Sequence, residues 1–162
     1  MSASDIHIRI DGIRGESTDA RHKDEIPVES WTWGVAGGQP AGPAGGGAVG
    51  RPTFSDLSFT HRADRASPLL WRACADGRHI REAELSVARG GAVPQTYLTI
   101  RLRDVVVTAV ALADTANDGS PPLETVSLHF GEVRYGYRPQ RPNGALDAAV
   151  EFDHRRPRAR TK

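Results

Sequence analysis

At 162 residues, with 38% hydrophobic and 25% charged side chains, the chain has the composition of one globular domain, which excludes a disordered protein. The formal charge of +1 excludes a chain-wide field that would draw the protein to nucleic acid or an anionic membrane. No apolar run approaches the roughly 20 residues that cross a bilayer, which excludes membrane insertion, and 17 Gly and 11 Pro predict many turns and little helix.

The N-terminus predicts a strand, since the isoleucines of IHIRI alternate with His7 and Arg9. The segment MSASDIHIRI lacks the basic region and the long apolar region of a cleaved signal peptide. We therefore expect a protein that is made in the cytoplasm and exported, if at all, by another route. A single cysteine, Cys74, excludes an internal disulfide.

The next predicted strand, IPVESWTWGV, carries two indoles on one face. Trp31 and Trp33 are two residues apart, so Thr32 between them points to the opposite face. Because large indoles favour the core, we expect Thr32 to face outward. The apolar residues before Ser30 have the other parity, which predicts a bulge near Ser30 or a strand covered on both faces.

A glycine-rich segment, GGQPAGPAGGGAVGRP, spans residues 37–52 without apolar periodicity. Loops of this length within compact domains tend to be functional or disordered. The glycines at 45–47 match a phosphate-binding loop only superficially, because no GK[ST] or helix start follows them. The segment predicts a long loop that could reach a neighbouring molecule.

Another strand is predicted in TFSDLSFTHR, where Leu57 and Phe59 share one face. The one good helix of the sequence follows in SPLLWRACADG. We expect Ser67 to cap it, Pro68 to occupy its first position and Gly77 to adopt the left-handed conformation at its end.

Three more strands are predicted in AELSVAR, TYLTIRLRDVVVTAVAL and ETVSLHFGEVRYGYRP. The first two are joined by GGAVPQ, which has the length of a hairpin connection, and Gly131 predicts a bulge or bend in the third. The whole pattern indicates seven or eight antiparallel strands, one short helix and one long loop. This is an all-β barrel or two-sheet sandwich.

The C-terminus is strongly basic. Residues 154–162 hold five of the 21 Lys and Arg side chains and no acid, which leaves the rest of the chain at a net charge of about −4. Without an apolar pattern, the segment predicts a basic flexible tail after a single domain of residues 1–153. Such a tail could bind nucleic acid or an acidic partner, or merely fray and solubilise the chain.

Motifs of catalysis or metal binding are not recognisable. Cys74 falls on the short helix beside Leu70 and Trp71, where a small buried thiol is the ordinary explanation. The six histidines never form the close pairs of a zinc motif, and Ser17 lies outside any G-x-S-x-G elbow. We expect no enzyme, no metal and no cofactor.

Four segments together resemble the Hcp family, the tube-forming proteins of the bacterial type VI secretion system. They are IDGIRGESTDARHKDEI followed by SWTWG, DLSFTHRADRASPLLWRACADGRHI, LTIRLRDVVV, and ETVSLHFGEVRYGYRPQRPNG. They cover most of residues 5–144 in the family's order and spacing, and the glycine-rich segment falls where the family carries its extended loop. The chain departs at its end, AAVEFDHRRPRARTK, where only Phe152 and Asp153 match the family's closing strand.

The resemblance implies a barrel-like pair of antiparallel sheets with one helix on its side, assembled as a homo-hexameric ring with a central hole. It implies stacking of rings into a tube, with sheath proteins, a spike protein of the VgrG type and small effector proteins in the lumen as partners. It implies secretion to the extracellular space or a target cell. On this basis Thr32 faces the lumen. The subunit or ring interface then includes the loop residues Gly37, Gly38, Gly45, Gly46, Gly47 and Arg51.

A second class of function stays open at this point. The chain could be a monomeric β-barrel binding module or adaptor whose basic tail contacts protein or nucleic acid, although the overall charge disfavours nucleic acid. The first class requires a ring and the second does not, so a measurement of size separates them.

Overall fold

The computed structural model describes residues 5–38, 50–90, 93–114 and 117–157. Within these ranges the chain forms ten strands and one helix. In chain order they are β1 (Ile6–Ile10), β2 (Ile26–Pro27), β3 (Ser30–Thr32), β4 (Val35–Ala36), β5 (Thr53–Phe54), β6 (Leu57–Arg62), α1 (Ser67–Asp76), β7 (His79–Arg89), β8 (Gln95–Ala113), β9 (Leu123–Tyr137) and β10 (Val150–Arg155).

Eight strands form one antiparallel sheet in the order β2-β1-β7-β8-β9-β6-β3, with β10 added to β9. The first half of β9 pairs with β6 and its second half with β10, so both neighbours lie along the same edge of β9. The remaining two strands, β4 and β5, form a separate hairpin. The all-β prediction is confirmed. The described strands outnumber the predicted seven or eight because β2, β4 and β5 are only two residues long.

The sheet curls until its two edge strands, β2 and β3, approach each other, and two consecutive residues of the chain bond to opposite ends of the sheet. The N–H of Val28 donates to the carbonyl of Ile6 in β1 (2.9 Å), and the N–H of Glu29 donates to the carbonyl of Thr60 in β6 (2.8 Å). The chain therefore crosses from one end of the sheet to the other between β2 and β3. This crossing, rather than the bulge predicted near Ser30, explains the change of parity in the sequence.

The two longest strands, β8 and β9, bend so that each forms part of two sides of the barrel. Asp104 of β8 has a positive φ of 54° and lies against Gly131 of β9, where an added Cβ would sit 3.2 Å from the Cβ of Asp104. A register shift between Val107 and Ala109 bends β8 further. The predicted irregularity at Gly131 is therefore present, with the unusual backbone on the partner strand.

The barrel encloses one apolar core. Leu57 and Phe59 share one face as predicted, and that face points inward. Trp31 and Trp33 pack against the same core while Thr32 is exposed. Alternation along each strand supplies the rest of the buried cluster. Burying a side chain as large as Phe59 contributes about 1.5–3 kcal/mol relative to leaving it in water.

The helix α1 packs beside β8, and its two ends differ from each other in how they are capped. Gly77 has a φ of 61° and donates its N–H to the carbonyl of Cys74 (3.3 Å), which is the predicted left-handed end. At the other end the prediction that Ser67 caps the helix is wrong. Ala66 occupies the capping position, and the hydroxyl of Ser67 instead accepts the N–H of Asp64 (3.0 Å).

The strand β10 continues past residue 153, where the sequence predicted the tail to begin. His154 and Arg155 pair with Val133 and Glu132 of β9, and Arg155 forms an ion pair with Glu132 (2.8 Å). Pairing with β9 orders these residues although they carry no apolar pattern. Residues 158–162 lie outside the described part of the chain.

Candidate functional site

One outer face of the barrel is built from small hydroxyl side chains, and we call it the hydroxyl face. Thr32 of β3 stands opposite Ser58 of β6, which stands opposite Ser127 of β9. The hydroxyls of Ser58 and Ser127 are hydrogen bonded at 2.8 Å. The row continues to Ala109 of β8, so four strands contribute only small side chains.

A second row runs parallel to the first. Ser30 stands opposite Thr60, Thr60 opposite Thr125, and Thr125 opposite Ala111. The hydroxyls of Ser30 and Thr60 lie 2.5 Å apart. Neither row carries a charged side chain, so the hydroxyl face is smooth, polar and neutral. Such a surface can offer hydrogen bonds to many partners without selecting for charge.

The hairpin of β4 and β5 forms the base of the glycine-rich loop. The N–H of Ser55 donates to the carbonyl of Gly34 (2.9 Å), and the strands pair up to Ala36 and Thr53. Beyond them Gly38 approaches Gly50 so closely that a Cβ on Gly38 would lie 1.8 Å from the carbonyl oxygen of Gly50. The loop therefore leaves and re-enters the barrel at one narrow point.

Aromatic rings fix this base to the C-terminal strand. Phe54 of β5 contacts Trp33 (centroids 6.0 Å apart) and His154 of β10 (4.6 Å). The guanidinium of Arg156 lies over the ring of Phe130, 4.6 Å from its centroid. Its Nε and Nη2 are buried without a hydrogen-bond partner among the described residues, so the ring faces are their main contact.

A different part of the outer surface carries acids and arginines on neighbouring strands, and we call it the charged face. Glu84, Arg101, Arg134 and Asp153 stand in one row across β7, β8, β9 and β10. Arg101 donates from Nε to Glu84 (2.9 Å), and Arg134 donates from Nε to Asp153 (2.7 Å). The two arginines face each other, and the positive charge of each is balanced by the acid on its other side.

A buried polar pair lies between α1 and the sheet. His61 and Glu124 are fully buried and hydrogen bonded, with 2.7 Å between Nε2 and Oε1. The indole Nε1 of Trp71 donates to the other carboxylate oxygen of Glu124 (2.8 Å). These contacts fasten the helix to the barrel and leave the carboxylate no open face for a substrate.

The predicted site residues fall in two separate places. Thr32 is exposed on the hydroxyl face, whereas Gly37, Gly38 and Arg51 lie at the loop base. The predicted interface residues Gly45, Gly46 and Gly47 lie outside the described residues. Sequence reasoning missed Arg156, although the alternation of Phe152, His154 and Arg156 was the signal that could have placed it on the inward side of a strand.

In the parts of the chain that the structure describes, no group of three or more His, Cys, Asp or Glu could hold a metal ion, and no helix is long and apolar enough to cross a membrane. The barrel with its neutral outer face, its charged face and its β4–β5 hairpin is that of an all-β structural protein.

The chain matches the family model described as "Type VI secretion system effector, Hcp" over residues 7–137. It belongs to this Hcp family of secreted structural proteins, and it is a type VI secretion system protein. The protein Hcp1 of Pseudomonas aeruginosa is 36% identical over 146 residues, covering 90% of each chain.

Solved structures agree. An Hcp1 structure from Salmonella typhimurium has a TM-score of 0.75 at 33% identity and covers 95% of each chain. A type VI secretion system effector from Yersinia pestis has a TM-score of 0.76 at 32% identity, with 93% of this chain and 99% of the other covered. A further type VI secretion system protein superposes with a TM-score of 0.85 at 27% identity, over 94% of this chain and 96% of that one.

Proposed function

We propose that the chain is a tube subunit that forms six-membered rings, and that these rings stack end to end and pass out of the cell. Membership of the Hcp family is the observation that carries this proposal. The proposed partners of this tube are a sheath around it, a spike protein at its tip and small effector proteins in its lumen.

The contrast between the two outer faces supports an assignment of surfaces. The hydroxyl face has small uncharged side chains along two rows, which suits a lumen wall that must hold different effectors and release them. The charged face carries fixed rows of acids and arginines, which suits register with one defined protein partner. We therefore assign Thr32 to the lumen wall.

The loop base supports a role for the glycine-rich loop at a subunit or ring interface. Gly38 and Gly50 lie side by side at the two ends of the remaining loop, and Phe54 contacts Trp33 next to them. Gly37, Gly38, Gly45, Gly46, Gly47 and Arg51 are the proposed contact residues. A closed ring needs one patch to meet a different patch of the next copy, and a projecting loop supplies one of them.

The test is the mass of the purified protein. Multi-angle light scattering at micromolar concentration should give six times the chain mass of 17.5 kDa, and negative-stain images should show rings with a central hole. A standard interface would bury about 800 Å² on each partner. A monomer mass at every concentration would contradict the proposal and favour the monomeric binding module.

A further inference from the structure

A cavity of about 630 Å³ opens at the end of the barrel where β1 begins, and we call it the acidic pocket. Five carboxylate side chains line it, contributed by four separate stretches of the chain. They are Asp5, Glu16, Asp19, Glu29 and Asp64.

Most of this negative charge has no cation beside it. Glu29 is paired with Arg62 (Oε1 to Nε, 2.9 Å). Asp64 lies 3.9 Å from the ring of His61 and accepts the backbone N–H of Ala66 (2.8 Å). Asp5, Glu16 and Asp19 form no ion pair among the described residues. Burial raises the pKa of Asp64, as expected for a carboxylate without a strong cationic neighbour.

A buried imidazole in the same wall has a ring nitrogen without a hydrogen-bond partner among the described residues. His7 is 6% exposed, and its Nδ1 has no hydrogen-bond partner among the described residues. Burial lowers the pKa of His7, and the ring of His22 stacked on it at 4.4 Å lowers it further. A neutral ring nitrogen can accept a hydrogen bond, so the wall holds a buried, unsatisfied acceptor as well as negative charge.

These features fit a ligand with several N–H donors and positive charge. A bare metal ion is a poor fit, because within the described ranges no three of these groups converge on one point. A guanidinium, in contrast, has five donors in a plane and can bind spread carboxylates at the same time.

We propose that the acidic pocket binds an arginine-rich peptide segment, and that its occupant in the assembled protein is residues 158–162 of a second copy of this chain. That segment, RARTK, carries three positive side chains and no acid. In an extended conformation Arg158, Arg160 and Lys162 share one side, because alternate residues of an extended chain point the same way.

Strand register explains why a second copy is the donor. Through β7, β8 and β9, Ile6 is level with Val150, the first residue of β10. The last residue, Arg155, is level with Glu82 at the other end of β7. About 17 Å therefore separates the pocket end of the sheet from the point where the C-terminal segment leaves it.

The other wall of the pocket begins at Arg62, which is level with Leu123 of β9, about 30 Å along that strand from the level of Arg155. The strand β10 therefore ends between the levels of the two walls. Residues 158–162 span at most about 18 Å, so the segment of the same copy is too short to span either distance across the sheet from Pro157. Head-to-tail contact between two copies places the segment of one beside the pocket of the next. This last step rests on the proposed stacking of rings, whereas the affinity of the pocket for the segment does not.

The pocket is tested with a fluorescein-labelled peptide of residues 156–162 and a protein that ends at Pro157. Every described contact lies at or before Pro157, so this truncation removes none of them. Fluorescence anisotropy should show saturable binding that weakens as salt is added, since the Debye length falls to about 8 Å at 0.15 M.

Neutralising the pocket with Asp5→Asn and Asp19→Asn should weaken binding at least about 10-fold, the loss expected from removing two close charges. The matched control, Asp76→Asn with Asp114→Asn, removes two exposed acids elsewhere and should change binding less than about twofold. Equal losses in both variants, or no binding at all, would overturn the proposal. If the first variant unfolds, Thr18→Lys gives the decision, because it adds a cation at the exposed rim and should also abolish binding.

The donor is tested on the full chain with a carbodiimide, which joins an amine to a carboxylate. Lys162 is one of only two lysines, the other being Lys23. In a mixture of isotope-labelled and unlabelled protein, Lys162 should be linked to Asp5, Glu16 or Asp19 of the other isotope. Links within one copy alone would overturn the second-copy assignment. Peptide binding by a protein that never forms rings would contradict the ring proposal and leave the pocket proposal standing.

Discussion

At the scale of single residues, Thr32 is the position where the proposed lumen can be tested. Its side chain is exposed between two indoles that face the core, and it adjoins Ser58 on the hydroxyl face. Thr32→Gln should change the free energy of unfolding by less than about 0.5 kcal/mol, because the site is on the surface. The ring should persist while retention of a lumen-bound effector, measured by co-purification, is disturbed.

The matched control is Ser120→Gln, which likewise replaces a small hydroxyl side chain by glutamine at an exposed position, in the turn before β9. Effector retention should be normal in this variant. Unfolding of the Thr32→Gln protein would show that Thr32 belongs to the core, and normal retention of every tested effector would show that cargo does not contact this position.

A second prediction at this scale concerns Arg156 and its contacts with aromatic rings. Its guanidinium lies over Phe130 and, at 5.8 Å, over Phe54, so it links the C-terminal strand to the base of the glycine-rich loop. Arg156→Ala should lower the free energy of unfolding by about 1–2 kcal/mol, the range for a desolvated cation over a ring. Urea denaturation would measure it.

The neighbouring Arg155 provides the control for this change. Its side chain is 74% exposed and paired with Glu132 on the surface, so Arg155→Ala should cost less than about 1 kcal/mol. Similar losses of unfolding free energy in both variants would show that the contact of Arg156 with the aromatic side chains adds no stability beyond that of a surface arginine.

At the scale of secondary-structure elements, the loop carried by the β4–β5 hairpin can be changed to test assembly without disturbing the fold. Since Gly38 and Gly50 already lie side by side, residues 39–49 can be replaced by a two-residue turn without moving the barrel. We expect a change of no more than about 1 kcal/mol in the free energy of unfolding, because loop closure depends only weakly on length. Ring stability on dilution, followed by light scattering, should fall.

A variant with a Gly/Ser segment of equal length in place of residues 39–49 is the control for loop length. If rings of both variants were as stable as the original, the loop would have no part in assembly. If only the short loop weakened the ring, length rather than side chains would be the requirement.

At the scale of the whole molecule, acid stability depends on Glu82, which lies on β7 two residues before Glu84 of the charged face. Glu82 accepts a hydrogen bond from Arg9 (2.7 Å) and lies 3.5 Å from Arg103. The hydrogen bond from Arg9 holds the pKa of the Glu82 carboxyl below its ordinary value of 4.5. The unfolded chain therefore takes up the proton first, and this stabilisation is present above about pH 4.5 and is lost as the pH falls through the lower folded value.

Glu82→Gln should thus lower the free energy of unfolding by about 1 kcal/mol near pH 7, the usual net contribution of such a bond. Its stability should also fall less steeply than that of the original protein between about pH 5 and pH 3. Thermal unfolding across this range would measure both effects. Glu29→Gln, at a more exposed ion pair, is the control and should lower the free energy of unfolding near pH 7 by less than Glu82→Gln does.

Local patterns in the sequence were enough to determine much of the barrel. Alternation placed Leu57 and Phe59 inside and Thr32 outside, and the left-handed end of α1 followed from Gly77. These features depend on neighbours within a few residues, since strand and helix periods are local properties of the backbone. Four segments in their order also indicated the family, and with it the class of protein.

Only the tertiary structure decided which distant residues meet. His61 and Glu124 are 63 residues apart in the chain, and Arg156 reaches Phe130 because β10 pairs with β9. The acidic pocket likewise joins Asp5 to Asp64. Residues that look solvated or frayed in isolation gain partners when the sheet curls, because side chains on adjacent strands contact each other whatever their separation along the chain.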